Sequence, residues 1–226
     1  MIKIVDNTLN SGYHALTQDI PLSVLKKMRD GGKISMSDYN KLRKGKIMMD
    51  IASFGNVESF AIECKMFKAE HETEMAMYMN GKNILAFKRG GEVLTTRWNL
   101  DDIAEWMRRF LNNMREDPYP VKCSGAYAAI KDIEARDFDS DDDGEFDAYY
   151  DKLDKWNESH RWHLASNGAI LADVYFQLCG DEVEISWNNQ DAEVSFIEVL
   201  GGTSVSKDVF TSVVDDFLKF YAEYWF

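Results

Sequence analysis

Between Phe60 and Met114 the apolar residues change their period once, from about 2 to about 3.6. Phe60-Ala-Ile-Glu-Cys64 and Glu74-Met-Ala-Met-Tyr-Met79 lean apolar with partial alternation, as strands do. Asn80-Gly81 follows, and both residues tolerate the positive φ of a two-residue hairpin turn. Ile84–Phe87 is expected to pair back, Gly90-Gly91 to turn again, and Val93–Trp98 to continue an antiparallel meander. From Asn99 the pattern turns helical. Asn99 is placed to cap, and Asp101 and Asp102 fall in a first turn, where carboxylates complement the positive helix end. Ile103, Trp106, Met107, Phe110, Leu111 and Met114 then form one stripe. Asp117-Pro118-Tyr119-Pro120 ends it, because proline lacks the N–H a helix needs and restricts the residue before it.

The C-terminal part follows the same plan. Asn167-Gly168 is a turn signal, Val174–Leu178 is strand-like, Gly180-Asp181 turns, and Val183–Trp187 alternates strongly. A further strand is expected over Glu193–Val199. Ser206 then caps a helix whose stripe is Phe210, Val213, Val214, Phe217, Leu218 and Tyr221, at the same offsets as the first. Leu94-Thr-Thr-Arg-Trp98-Asn99 and Val183-Glu-Ile-Ser-Trp187-Asn188 also share a spacing. The fold class expected is α+β, with antiparallel sheet meanders and packed amphipathic helices. The repeated order makes a duplicated hairpin-plus-helix unit part of that reading. The hydrophobic fraction of 45% and aromatic fraction of 13% are ample for a core. Four segments result: a basic helical 1–50, hairpins plus helix over 51–120, a helical acidic connector over 121–158, and strands plus helix over 159–226. Residues 51–226 are also readable as one compact domain.

Charge is divided unevenly. Residues 1–120 carry 18 Lys and Arg against 16 Asp and Glu, a net of +2, whereas residues 121–226 carry 8 against 23, a net of −15. Together these give the chain's −13. The basic excess lies in Pro21–Lys46, which reads as two short helices about Gly31-Gly32, with Pro21 in a first turn and Ser37 as a cap. There Lys26, Lys27, Arg29, Lys33, Lys41, Arg43, Lys44 and Lys46 outnumber Asp30 and Asp38, the charge pattern of a helix-turn-helix. The acidic half should repel phosphates and anionic lipid, so nucleic acid is an unfavoured partner and a basic protein a favoured one. Such a balance also serves solubility alone.

Other classes are disfavoured by what the chain lacks. Met1–Asn10 holds Lys3 and Asp6 and no long apolar run, so no signal peptide is expected, and no stretch of about 18 apolar residues predicts a membrane span. Cys64, Cys123 and Cys179 are far apart and odd in number, which favours a reducing cytoplasm over a disulfide framework. Their apolar neighbours suggest inert thiols. There is no Gly-x-Ser-x-Gly elbow, no phosphate loop and no dinucleotide fingerprint, and Gly90-Gly91 and Gly201-Gly202 read as turn glycines. No cofactor is expected.

Two stretches remain as candidate sites. In Phe138–Tyr150, FDSDDDGEFDAYY, Asp139, Asp141 and Asp143 fall at alternate positions before Gly144, as in a calcium loop of the EF-hand kind. Such a loop closes with a bidentate glutamate, and Tyr150 stands at that position instead. Phe146, Tyr150, Leu153 and Trp156 lie at helical spacing, so the acids are better read as the approach to a helix beginning near Asp143, with Tyr150 facing the core. The second stretch is His160-Arg161-Trp162-His163, whose histidines three apart are weak metal candidates, as are Asp139, Asp141 and Asp143. Trp162 and Arg161 are residue types enriched at interfaces. Most other tryptophans, Trp98 and Trp187 among them, are expected in the core.

The expectation is therefore a non-enzymatic cytoplasmic binding protein, concretely an acidic immunity or inhibitor protein that neutralises a basic partner such as a toxin nuclease. Its partner-binding candidates are Asp137, Asp139, Asp141, Asp142, Asp143, Glu145, Asp147, Arg161 and Trp162. Two alternatives are a nucleic-acid-binding regulator using residues 21–46, and a metal-dependent enzyme at His160 and His163.

Overall fold

The computed structural model describes residues 48–67, 72–162 and 168–225. The two helices expected over Pro21–Lys46 lie outside the described residues, as do His163 and Asn167. The order is β1 (Met48–Asn56), β2 (Phe60–Phe67), β3 (Glu72–Met79), β4 (Lys82–Asn83), β5 (Phe87–Arg89), β6 (Glu92–Leu94) and β7 (Thr96–Trp98). Then come α1 (Asp101–Asn113), α2 (Ala128–Ala135), α3 (Asp143–His160), β8 (Val174–Cys179), β9 (Glu182–Asn188), β10 (Ser195–Phe196), β11 (Leu200–Ser206) and α4 (Lys207–Trp225). The fold is α+β. Strands β1-β2-β3-β4 form a first sheet, with β7 also paired to β3; β10-β5-β6 form a second, and β11-β9-β8 a third. All the strand pairs named are antiparallel.

The Asn-Gly hairpin forms where its chemistry predicts. Asn80 and Gly81 have φ of 50° and 78°, closing the Met79–Lys82 pair. The returning strand is shorter than expected. Asn83 Oδ1 accepts from Leu85 N at 3.0 Å, so the chain turns out of the first sheet and Ile84–Ala86 form no strand. Phe87 then opens the second sheet. Asn99 is not the formal cap of α1, although its Oδ1 does accept from Asp101 N at 2.8 Å.

Alternate residues of β2 and β3 point inward: Phe60, Ile62, Cys64 and Met66 meet Met75, Met77 and Met79. Helix α4 covers this face and reaches the third sheet, because all six residues of its apolar stripe are buried. Phe210 stacks on Phe60 at 5.4 Å. The Tyr221 hydroxyl, between helices, accepts from Leu100 N (3.2 Å) and donates to Asp101 Oδ1 (2.9 Å). One core cluster thus joins residues from Ala52 to Tyr221.

The C-terminal strands differ from expectation in two ways. The strand expected over Glu193–Val199 is reduced to Ser195–Phe196, and the long strand is β11, in which Gly201 and Gly202 are strand residues rather than turn residues. Their missing side chains make room for rings: a Cβ on Gly201 would lie 2.5 Å from Trp187 Cζ2, and one on Gly202 2.5 Å from Tyr127 Cγ. Successive strand residues face opposite ways, so one glycine admits a ring on each face. Gly201→Ala is expected to cost about 1–3 kcal/mol by overpacking against buried Trp187, read as a lower urea midpoint. The second difference concerns β9. Its alternation predicts one solvated face, yet Glu184 and Ser186 are buried like Val183 and Ile185, because α2 covers the polar side.

Candidate partner-binding surface

The acidic stretch is the capped start of α3. Asp142 is the N-cap, and its Oδ1 accepts from Gly144 N (2.8 Å) and Glu145 N (3.1 Å), two of the donors a helix start leaves unpaired. Glu145 stands three residues on, where a capping box places its acid. Here the return bond passes through a hydroxyl: Ser140 Oγ donates to Glu145 Oε2 (2.8 Å) and accepts from Asp142 N (3.2 Å). Gly144 lies inside the helix without positive φ, rather than at the sharp turn of a calcium loop. Asp142→Ala should therefore cost about 1 kcal/mol in urea denaturation, as a lost cap does.

Aromatic residues hold this lead-in against the helix. The Tyr150 hydroxyl lies 3.2 Å from Arg136 O and 3.1 Å from Phe138 O, and Phe138 stacks on Tyr149 with ring centres 3.8 Å apart. Tyr150 is thus half-buried against the acidic loop instead of facing the main core, and Phe146 is 38% exposed. Leu153 and Trp156 are buried as the stripe predicts.

The consequence is a fixed acidic surface. Asp137, Asp139, Asp141, Asp142, Asp143, Glu145 and Asp147 are all exposed, and no Lys or Arg occurs between Asp137 and Asp151. Among the described residues no cation pairs with any of these seven. Arg136, the adjacent base, is bound to Asp132 through Nε (3.0 Å) and Nη2 (2.6 Å). The acids thus form one patch of negative field, with the exposed Phe146 among them.

Arg161 and Trp162 belong elsewhere. Arg161 forks onto Asp173 at 2.7 and 2.5 Å. Trp162 is fully buried, donates Nε1–H to Ala172 O (2.7 Å) and packs edge-on to Phe176. The expectation of an interface tryptophan is corrected: it is core. Trp98, expected in the core, is 42% exposed at the sheet margin.

His160 is likewise committed. Its ring stacks on Trp156 at 4.1 Å, Nδ1 lies 2.9 Å from Trp156 O, and burial pushes its pKa below the ordinary histidine value. Among the described residues no group of three or more His, Cys, Asp or Glu is placed to hold a metal. Cys64 is buried with its thiol pushed far up by desolvation, whereas Cys179 is exposed, unlike the apolar setting expected for it.

Two arrangements were not legible beforehand. On the outer face of the first sheet, Glu63, Lys65, Glu74, Tyr78, Arg97 and Trp98 line a groove of about 800 Å³ walled by Val93 and Leu94. Its charges are mostly engaged within the chain, Lys65 with Glu74 (2.8 Å) and Arg97 with Glu72 (2.7 Å), so it selects no ligand charge clearly. Beneath α2 lies a buried carboxylate network. Asp132 accepts from Tyr175 OH at 2.9 Å, with Tyr119 OH 3.4 Å away, and Glu184 Oε1 accepts from Ala128 N at 2.6 Å. Burial, then the Asp173 and Asp132 charges, pushes the Tyr175 phenol far above its usual range.

No family model matches the chain, and no curated protein does. Among solved structures, it is similar to one titled "Crystal structure of CdiI from Burkholderia dolosa AUO158". The two are 16% identical, and the match covers 74% of this chain and 98% of that one, with a TM-score of 0.37. A score that low carries no functional argument.

Proposed function

We propose that this chain is a non-enzymatic binding protein whose acidic surface captures a basic protein partner. In its concrete form it is an immunity or inhibitor protein that covers the cationic active site of a toxin nuclease, placing carboxylates where nucleic-acid phosphates would lie. One observation carries the reading: seven exposed carboxylates with no paired cation among the described residues, held by the cap of α3 and the Tyr150 and Phe138 contacts. An acidic surface so fixed meets a cationic cleft with little ordering cost, and its field raises the rate of encounter. Phe146, exposed among the acids, offers apolar area for the bound state.

Binding of the purified chain to a panel of basic nucleases, with an acidic nuclease as control, tests the proposal. Tight, salt-sensitive binding to a basic member with loss of its nuclease activity supports it. Binding no stronger than to the acidic control rejects it. Of the two residues of the metal-enzyme alternative, His160 is buried and stacked on Trp156, and His163 lies outside the described residues.

A further inference from the structure

The face of the third sheet beneath α2 is polar. Tyr175 and Gln177 of β8 and Glu184 and Ser186 of β9 alternate with Val174, Phe176, Val183 and Ile185, which face the main core. Contacts across this face combine hydrogen bonds with two rings, Tyr127 lying against Gly202 and Tyr175 packed under α2 and α3. Tyr127, the N-cap residue of α2, makes no side-chain cap bond, and the sheet caps the helix instead: Glu184 Oε1 accepts from Ala128 N (2.6 Å) and Ser186 Oγ from Ala129 N (3.1 Å). One turn along, Asp132 accepts from Tyr175 OH (2.9 Å) while holding Arg136. The apolar packing between α2 and α3 is a cluster of its own: Tyr119, Ala128, Ala129, Ala135, Leu153 and Trp156, with Tyr175 from the sheet. The chain leaves and rejoins the sheet at two backbone pairings with β8, Glu116 with Leu178 and Arg161 with Tyr175.

We infer that residues 119–160, comprising α2, the acidic loop and α3, form one cooperative unit that opens from the sheets before the rest unfolds, with Asp132 and Glu184 as its latches. Opening exposes a sheet face that water can solvate and parts the edge-on contact of His160 with Phe110 (6.4 Å), but leaves the rest of the main core packed, so it requires much less than global unfolding. The unit's own apolar cluster stays largely together, which makes it move as a body hinged at Glu116 and Arg161. Because the unit carries the acidic surface, the latches set how firmly that surface is presented. The inference rests on the contacts alone and does not depend on what the surface binds.

Native-state hydrogen exchange of the full chain, followed by mass spectrometry across sub-denaturing urea, tests it. In the wild-type protein, amides of α2 and α3 should exchange through an opening with a shallower urea dependence than amides of β2 and β3. Glu184→Gln and Asp132→Asn should each speed exchange in α2 and α3 by about 10-fold or more, leaving β2 and β3 within about 2-fold. Equal acceleration everywhere, or no acceleration in α2 and α3, would overturn the inference. If neither variant folds, the wild-type urea dependence decides alone: equal slopes for α2, α3, β2 and β3 mean a single cooperative unit.

Discussion

Phe176→Ala is expected to remove about 3–5 kcal/mol of stability, the largest loss from any single truncation considered. Phe176 is fully buried in β8, and its ring centre lies 5.4 Å from Trp106, 5.8 Å from Phe110, 5.4 Å from Trp162 and 5.8 Å from Phe210. Those rings come from α1, from the chain just after α3 and from α4, so one side chain fixes how two helices and that segment meet the sheet. Truncation removes both the transfer free energy of a phenyl ring and the contacts of its neighbours, which are too rigidly held to close the space. Urea denaturation followed by tryptophan fluorescence reads the change. Val93→Ala is the control: Val93 is 61% exposed on β6, and its loss should change stability by no more than about 0.5 kcal/mol.

The other large effect concerns binding. Replacing Asp139, Asp141, Asp143 and Asp147 together by Asn takes the net charge from −13 to −9. It leaves the Asp142 cap and the Ser140–Glu145 bond in place. Affinity for a basic nuclease partner should fall by about 100-fold at low salt, mostly through a slower association rate. Folding should be unimpaired, since these carboxylates make no ion pair among the described residues and repel one another. Stopped-flow association of wild type and variant separates the two effects. A variant that associates as fast as wild type would show that the field of these acids does not steer the partner.

The elements legible in the sequence were those whose signal is local. Asn80-Gly81 fixes a turn by its own backbone preferences, the stripe from Phe210 to Tyr221 fixes a helix face, and Asp142 to Glu145 fixes a helix start. Elements whose signal lies in a distant partner were not legible. Strand β11, Leu-Gly-Gly-Thr-Ser-Val-Ser, has little strand propensity, and its glycines read as a turn until Trp187 and Tyr127 are seen lying against them. Helix α2 is short and has no side-chain cap of its own, because Glu184 and Ser186 satisfy its first amides from 56 and 57 residues away. The same distance explains why β9 alternates yet is buried on both faces. Trp98 and Trp187 share a sequence spacing but not an environment, at 42% and 5% exposure. At the candidate surface, the seven acids were legible because charge needs no partner to be seen. The settings of Arg161 and Trp162 are not legible locally because Asp173 and Ala172, which hold them, lie 12 and 10 residues further along the chain.

The most direct measurement of the central claim is the affinity for a basic nuclease as salt is raised from about 50 to about 500 mM, a range over which surface charges become largely screened. The account predicts that binding weakens by at least about 10-fold across the range, and that the variant lacking Asp139, Asp141, Asp143 and Asp147 shows a clearly shallower slope. Tight binding that is indifferent to salt, with wild type and variant superimposed, would contradict it and place the contact away from the acidic start of α3.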